Sequence, residues 1–105
     1  MLAHSVFFSL NDPSEASIEA LLASCRELLD GHPGVLFFGV GTLNRELTRP
    51  VNDLAFDVAL HLVFDSKASH DAYQVAPRHV RFVEENKSTW KQVRIFDADI
   101  QSTAV

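Results

Sequence analysis

"LAFDVALHLVFDSKASHDAYQ", residues 54–74, holds the turning point of the chain. Within 54–64, Phe56, Val58, Leu60, Leu62 and Phe64 share one parity, and Ala55, Asp57, Ala59, His61 and Val63 share the other. A period of two marks a β-strand. The second face is also mostly small or apolar, which predicts a sheet covered on both sides. The pattern then changes within two residues. Asp65 or Ser66 supplies an N-cap, and "KASHDAYQ" continues as a helix. Pro77 interrupts it and suits the first turn of a further helical segment, 77–87.

Upstream, "VLFFGVGTL" (35–43) reads as the strand that precedes this one, with Gly39 and Gly41 marking a bulge or a close backbone approach. The polar "NRELTRPVND" (44–53) between the two is long for a simple hairpin and points to function or mobility. Residues 3–10 alternate again, with His4, Val6, Phe8 and Leu10 on one face. Asp12 follows as N-cap, Pro13 as first helical residue and Glu15 as third. Ile18, Leu21, Leu22, Cys25, Leu28 and Leu29 then recur at helical spacing until Gly31. Downstream, "WKQVRIFDA" (90–98) is a last strand, with Trp90 and Phe96 read as barrel or dimer contacts and a polar, loose tail at 99–105. The order β-α-β-β-α-β is the ferredoxin-like arrangement, an α+β fold with a four-stranded antiparallel sheet and its helices on one face. The other face carries apolar residues. A second copy packed against it would close a dimeric α/β barrel, so a homodimer is expected.

Composition sets the limits. The 105 residues, 47% hydrophobic and 22% charged, fit one soluble domain spanning 1–105. Eight phenylalanines are a heavy apolar load for so short a chain and favour a core shared between two copies. The net charge of -5 and scattered basic residues argue against nucleic acid and anionic membranes as partners. The single cysteine, Cys25, forms no intrachain disulfide and lies in the apolar helix stripe as a buried thiol. With no basic leader and no apolar run of about 20 residues, a cytoplasmic location is expected.

Several segments carry a resemblance: the opening "HSVFFSL", the third strand running into "FDSKASHDAYQ", then "PRHVRFVEE" and the closing "VRIFD". Over about residues 3–98 the chain resembles the stress-responsive A/B barrel (Dabb) family of dimeric α/β-barrel proteins. The resemblance implies a small homodimer that binds a small apolar molecule and needs no cofactor. One branch is similar to plant polyketide cyclases, which close a linear polyketide by aldol condensation. There Tyr73 and His79 fall at the catalytic pair and His4 at a pocket histidine, whereas Val58 and Ala76 stand where the plant cyclase has further histidines. His4, Val6, Phe8, Val58 and Val83 are the expected ligand-binding positions. The ending "FDADIQ" is expected, by the same resemblance, to reach towards the partner subunit.

The residues themselves leave two readings of the pair open. His79 sits two residues after Pro77, where the helix N-terminus disfavours the imidazolium, so a neutral imidazole could serve as general base. Tyr73 could then donate a hydrogen bond to a developing enolate, in cyclase or isomerase chemistry. Alternatively both simply pack at the helix edge. His61 lies on the weaker face, His32 in a turn expected to be exposed, and His70 on a helix expected to face water. No H-x-x-x-H or H-x-H spacing occurs, so no tightly bound transition metal is expected. Phosphate-loop, dinucleotide and G-x-S-x-G patterns are missing from the sequence.

Overall fold

The computed structural model describes residues 1–101. The elements are β1 (Leu2–Leu10), α1 (Glu15–Leu29), β2 (Val35–Thr42), β3 (Val58–Phe64), α2 (Lys67–Val75), α3 (Pro77–Asn86), a 3₁₀ turn (Lys87–Thr89) and β4 (Trp90–Asp99). The strands form one sheet in the order β2-β3-β1-β4, every neighbouring pair antiparallel. This is the ferredoxin-like arrangement, with the second helix split in two.

Alternation decides which side of each strand is buried. Leu2, His4, Val6, Phe8 and Leu10 of β1 face the helices, as do Val58, Leu60, Leu62 and Phe64 of β3. Leu21, Leu22, Cys25, Leu28 and Leu29 of α1 complete the core. Each fully buried aliphatic side chain contributes about 1.5–3 kcal/mol of transfer free energy before entropy is counted. The opposite sheet face carries Phe7, Phe37, Val63 and Phe96, alongside alanines and His61. Phe37 and Phe96 are more than half exposed there.

Local chemistry departs from the sequence expectation at several points. Ser14, not Asp12, caps α1: its side chain accepts from the Ser17 N–H, while Asp12 accepts from the Ser14 N–H and hydroxyl. The bulge in β2 falls at Leu36, between Val35 and Phe37, and not at the glycines, which pair in register with His61 and Ala59. The strand expected over 54–64 starts only at Val58. Asp57 interrupts it, donating its N–H to the Phe8 carbonyl and accepting from the Leu10 N–H through its carboxylate, both at 2.8 Å. Phe56 is thereby turned off the core parity and packs on Phe7, ring centres 5.0 Å apart, on the outer face. Trp90 lies on the helix side against Phe8 and Phe82, which corrects its reading as a barrel contact. Nor is the chain loose from residue 99: Asp99 still pairs with Leu2, and the Ile100 N–H donates to Met1 O. Residues 102–105 of the expected loose tail lie outside the described residues.

The α2–α3 break positions the site. Ala76 is extended, its N–H donates to the Tyr73 carbonyl, and Pro77 opens α3. Arg78 then donates to the carbonyls of Glu27 and Asp30 at 2.6 and 2.8 Å, pinning the start of α3 to the end of α1. Tyr73, just before this corner, and His79, just after it, are brought together with their rings edge to face.

Candidate functional site

A cavity of about 160 Å³ lies between the sheet and the α2–α3 corner. Its floor is Val6, Phe8 and Leu60, its roof Phe82 and Val83, and its polar groups are His4, Tyr73, Gln74 and His79. Of the sequence-expected residues, His4, Val6, Phe8, Tyr73, His79 and Val83 are therefore gathered around one space. Val58 is not: it is fully buried beneath the sheet–helix core and does not reach the cavity wall.

Tyr73 is the one buried residue of α2. Its ring meets Phe64 at 5.1 Å, His32 at 4.9 Å and His79 at 4.7 Å between centres. Burial pushes its phenol well above the ordinary tyrosine range, so it stays a neutral O–H donor. Burial works the other way on His79. It holds the imidazole below its usual value, the neighbouring His4 and His32 add to the effect, and the Gln74 backbone carbonyl opposes it. Desolvation, more than the helix N-terminus, is thus the main cause of a neutral His79. The pair sets a phenol O–H beside an imidazole at an apolar wall, ring centres 4.7 Å apart.

Three further histidines stand elsewhere than the sequence placed them or hold unexpected partners. His32 is buried, not exposed; its Nε2 lies 2.8 Å from the Leu28 carbonyl, so that nitrogen carries the proton and donates. His70 does not face water but packs on His4 at 5.0 Å and Phe64 at 5.5 Å. His4 is buried, with Nδ1 2.5 Å from Asp97 Oδ1. The β1–β4 register sets this contact by pairing His4 with Asp97. Sequence reasoning missed Asp97 because 93 residues separate it from His4, and only that register brings them together. It also missed Trp90, which lines the cavity and whose Nε1 is buried without a partner among the described residues. His61 stays on the outer face, exposed, hydrogen-bonded to Ser5. Burial pushes the Cys25 thiol up to about 12, which keeps it protonated and unreactive.

A second hollow of about 260 Å³ opens on the outer face between Phe7, Phe56 and Phe96. Its polar groups, Arg94 and Asp53, are already joined at 2.6 Å, and among the described residues its lining holds no histidine, tyrosine or cysteine. The larger hollow is therefore the poorer candidate. No helix among the described residues is long and apolar enough to cross a membrane.

The sequence profile of the Stress Responsive A/B Barrel Domain matches residues 2–100. The stress-response A/B barrel domain-containing protein DABB1 of Arabidopsis thaliana is 31% identical over 99 residues, covering 92% of this chain and 46% of that protein. The chain thus spans about half the length of this curated relative. Among solved structures, a dimeric ferredoxin-like protein of unknown function from Thermobifida fusca shares the fold at a TM-score of 0.78 and 18% identity, covering 94% of this chain and 90% of that one. The hydroxynitrile lyase of Passiflora edulis shares it at 0.77 and 20% identity, covering 97% and 94%. With the profile spanning nearly every described residue and the sheet order in agreement, the chain belongs to the stress-responsive A/B barrel family.

Proposed function

We propose that this protein works as a homodimer whose helix-side cavity binds a compact, mainly apolar small molecule carrying one carbonyl or hydroxyl group. The observation that carries this is the Tyr73–His79 pair at the wall of an otherwise apolar cavity, ring centres 4.7 Å apart. A space of this size is comparable with dry protein cavities of about 150 Å³ that admit benzene. The apolar lining supplies affinity; the phenol and imidazole orient the polar end of the guest. The exposed outer sheet face is the surface for the second copy, and the dimeric Thermobifida fusca protein of the same fold supports that assembly. The reduced, buried Cys25 is compatible with a cytoplasmic setting.

One observation favours a second reading. His79 is held neutral by burial while Tyr73 is held protonated, so the site is poised for cofactor-free cyclase or isomerase chemistry. In a polyketide-cyclase-like aldol closure, His79 would remove a proton beside a carbonyl and Tyr73 would stabilise the enolate oxygen. A hydroxynitrile lyase on this fold makes small carbonyl compounds the first to try.

The test is a thermal-shift and NMR screen of small aromatic and short-chain carbonyl compounds, repeated on Val83→Trp, which fills the cavity. Saturable shifts that vanish in Val83→Trp support the binding reading; none in either protein ends it. For any compound turned over, an unchanged rate in His79→Ala removes the catalytic reading.

A further inference from the structure

Beside the cavity, three elements converge on a cluster that the Tyr73–His79 pair does not use. His4 on β1, His70 on α2 and Asp97 on β4 each bring one ligating atom to within 4.8 Å of the others. Ligands around a tetrahedral Zn²⁺, at about 2.0–2.2 Å from the metal, lie roughly 3–4 Å apart, so His4 and Asp97, now 2.5 Å apart, must open by about 1 Å and the longer separations, up to 4.8 Å, must close by about as much. The three are not equally buried. His4 is deep and Asp97 is open to solvent, which gives an ion both a fixed anchor and an entry path.

A second contact points the same way. The Asp71 carboxylate lies 3.0 Å from Nδ1 of His70. The same Asp71 carboxylate also accepts from Lys67 Nζ at 2.6 Å. With the carboxylate as acceptor, Nδ1 of His70 donates and Nε2 keeps a lone pair, which meets the Gln74 side-chain amide at 3.4 Å and would exchange that contact for an ion. A carboxylate behind the far nitrogen is the usual support of a metal-bound imidazole, fixing both tautomer and ring orientation.

We propose that His4, His70 and Asp97 form a binding site for one first-row divalent ion, with Zn²⁺ the best fit. Two imidazole nitrogens and one carboxylate oxygen suit a borderline cation, whereas Ca²⁺ and Mg²⁺ ask for more oxygens than this set offers. The ion takes the place of the proton now lying between His4 Nδ1 and Asp97, and that proton moves to Nε2 of the same ring. Three protein ligands leave a fourth position for water or a small anion. Of the three, only His4 also lines the cavity, so the site does not rest on the function proposed above.

The experiment uses the tag-free full chain, stripped with chelator and titrated with Zn²⁺ alone in competition with a chromophoric chelator. One ion per chain is expected. His70→Ala and Asp97→Asn should each weaken binding at least tenfold, since losing even an outer-shell partner of a ligand typically costs about 10–100-fold. His61→Ala, on the other sheet face, should leave it unchanged. Asp97→Asn keeps the size and a hydrogen-bonding oxygen, so a folded variant is available even if His70→Ala melts early. The Co²⁺-loaded chain should show visible absorption that His70→Ala lacks. Absence of saturable micromolar binding, or binding that survives both variants, or its loss in His61→Ala, overturns the site.

Discussion

At the residue scale, two glycines separate backbone strain from steric conflict. Gly31 and Gly34 both have positive φ, 78° and 83°. A methyl group at Gly31 would meet nothing within 4 Å, whereas at Gly34 it would sit 2.2 Å from the Ser69 hydroxyl oxygen at the start of α2. Gly31→Ala should therefore cost only the left-handed penalty, about 1 kcal/mol. Gly34→Ala should cost that and the displacement of α2, roughly 2–4 kcal/mol in all, read as a drop in denaturant midpoint. His79 yields a second prediction. Its folded pKa lies below the unfolded value of about 6.5, so the unfolded chain binds the extra proton first as pH falls. Its share of stability is complete above about pH 6.5 and is lost as pH falls through the lower folded value. Thermal midpoints of the wild type should fall more between pH 7 and pH 5 than those of His79→Gln. Parallel curves for the two proteins would show that burial does not depress this imidazole. Of these features, the sequence displayed His79 and the turn glycines, but not what each touches. His32 and His70 look alike in sequence to exposed polar residues; only their distances to Leu28, His4 and Phe64 show that His32 is buried and His70 half-buried.

At the element scale, period and punctuation made most of the chain readable. The alternation in β1, the apolar stripe of α1 and the break at Pro77 each express a local rule, and the structure places an element at each. Boundaries set by long-range hydrogen bonds were not readable. Asp57 sits on the mostly small or apolar second parity of an apparently continuous strand, and nothing nearby in sequence reveals that its carboxylate will accept from the Leu10 N–H. The consequence is large, because it moves Phe56 from the core to the outer face. Asp57→Ala should leave that N–H short of a partner and cost about 1–2 kcal/mol, while Asp57→Asn, which keeps an accepting oxygen, should cost less. Arg78 is the corresponding tie for the site. Its two bonds to the last carbonyls of α1 hold the corner that presents His79. Arg78→Ala should lower stability by about 1 kcal/mol, since the side chain is exposed and water replaces part of the loss. It should weaken cavity binding by more than that stability change implies, a difference visible when ligand affinity and unfolding are measured on the same variant.

At the scale of the whole molecule, shape carries the argument. The chain measures 34 × 33 × 17 Å, a slab one helix layer and one sheet thick. Its radius of gyration, 14.1 Å, exceeds the roughly 13 Å of a compact globule of about 100 residues. A slab of this kind has one sheet face with no helix packed on it, and here that face holds Phe7, Phe37, Val63 and Phe96. The apolar second parity of β3 made the face visible in sequence, but Phe56 and the Arg94–Asp53 pair beside it came only with the coordinates. A charge placed in its middle tests the dimer directly. Phe96→Asp should shift sedimentation from dimer to monomer at micromolar concentration, because a carboxylate buried between two sheets without a partner is strongly unfavourable. Far-UV circular dichroism should stay that of an α+β fold, since Phe96 is 55% exposed within the single chain. The residues that line the cavity lie on the helix side of the sheet, away from the outer face that carries Phe96. A folded monomer of Phe96→Asp should therefore still bind a cavity ligand found with the wild type. Loss of that binding in a folded monomer would mean the partner subunit completes the site.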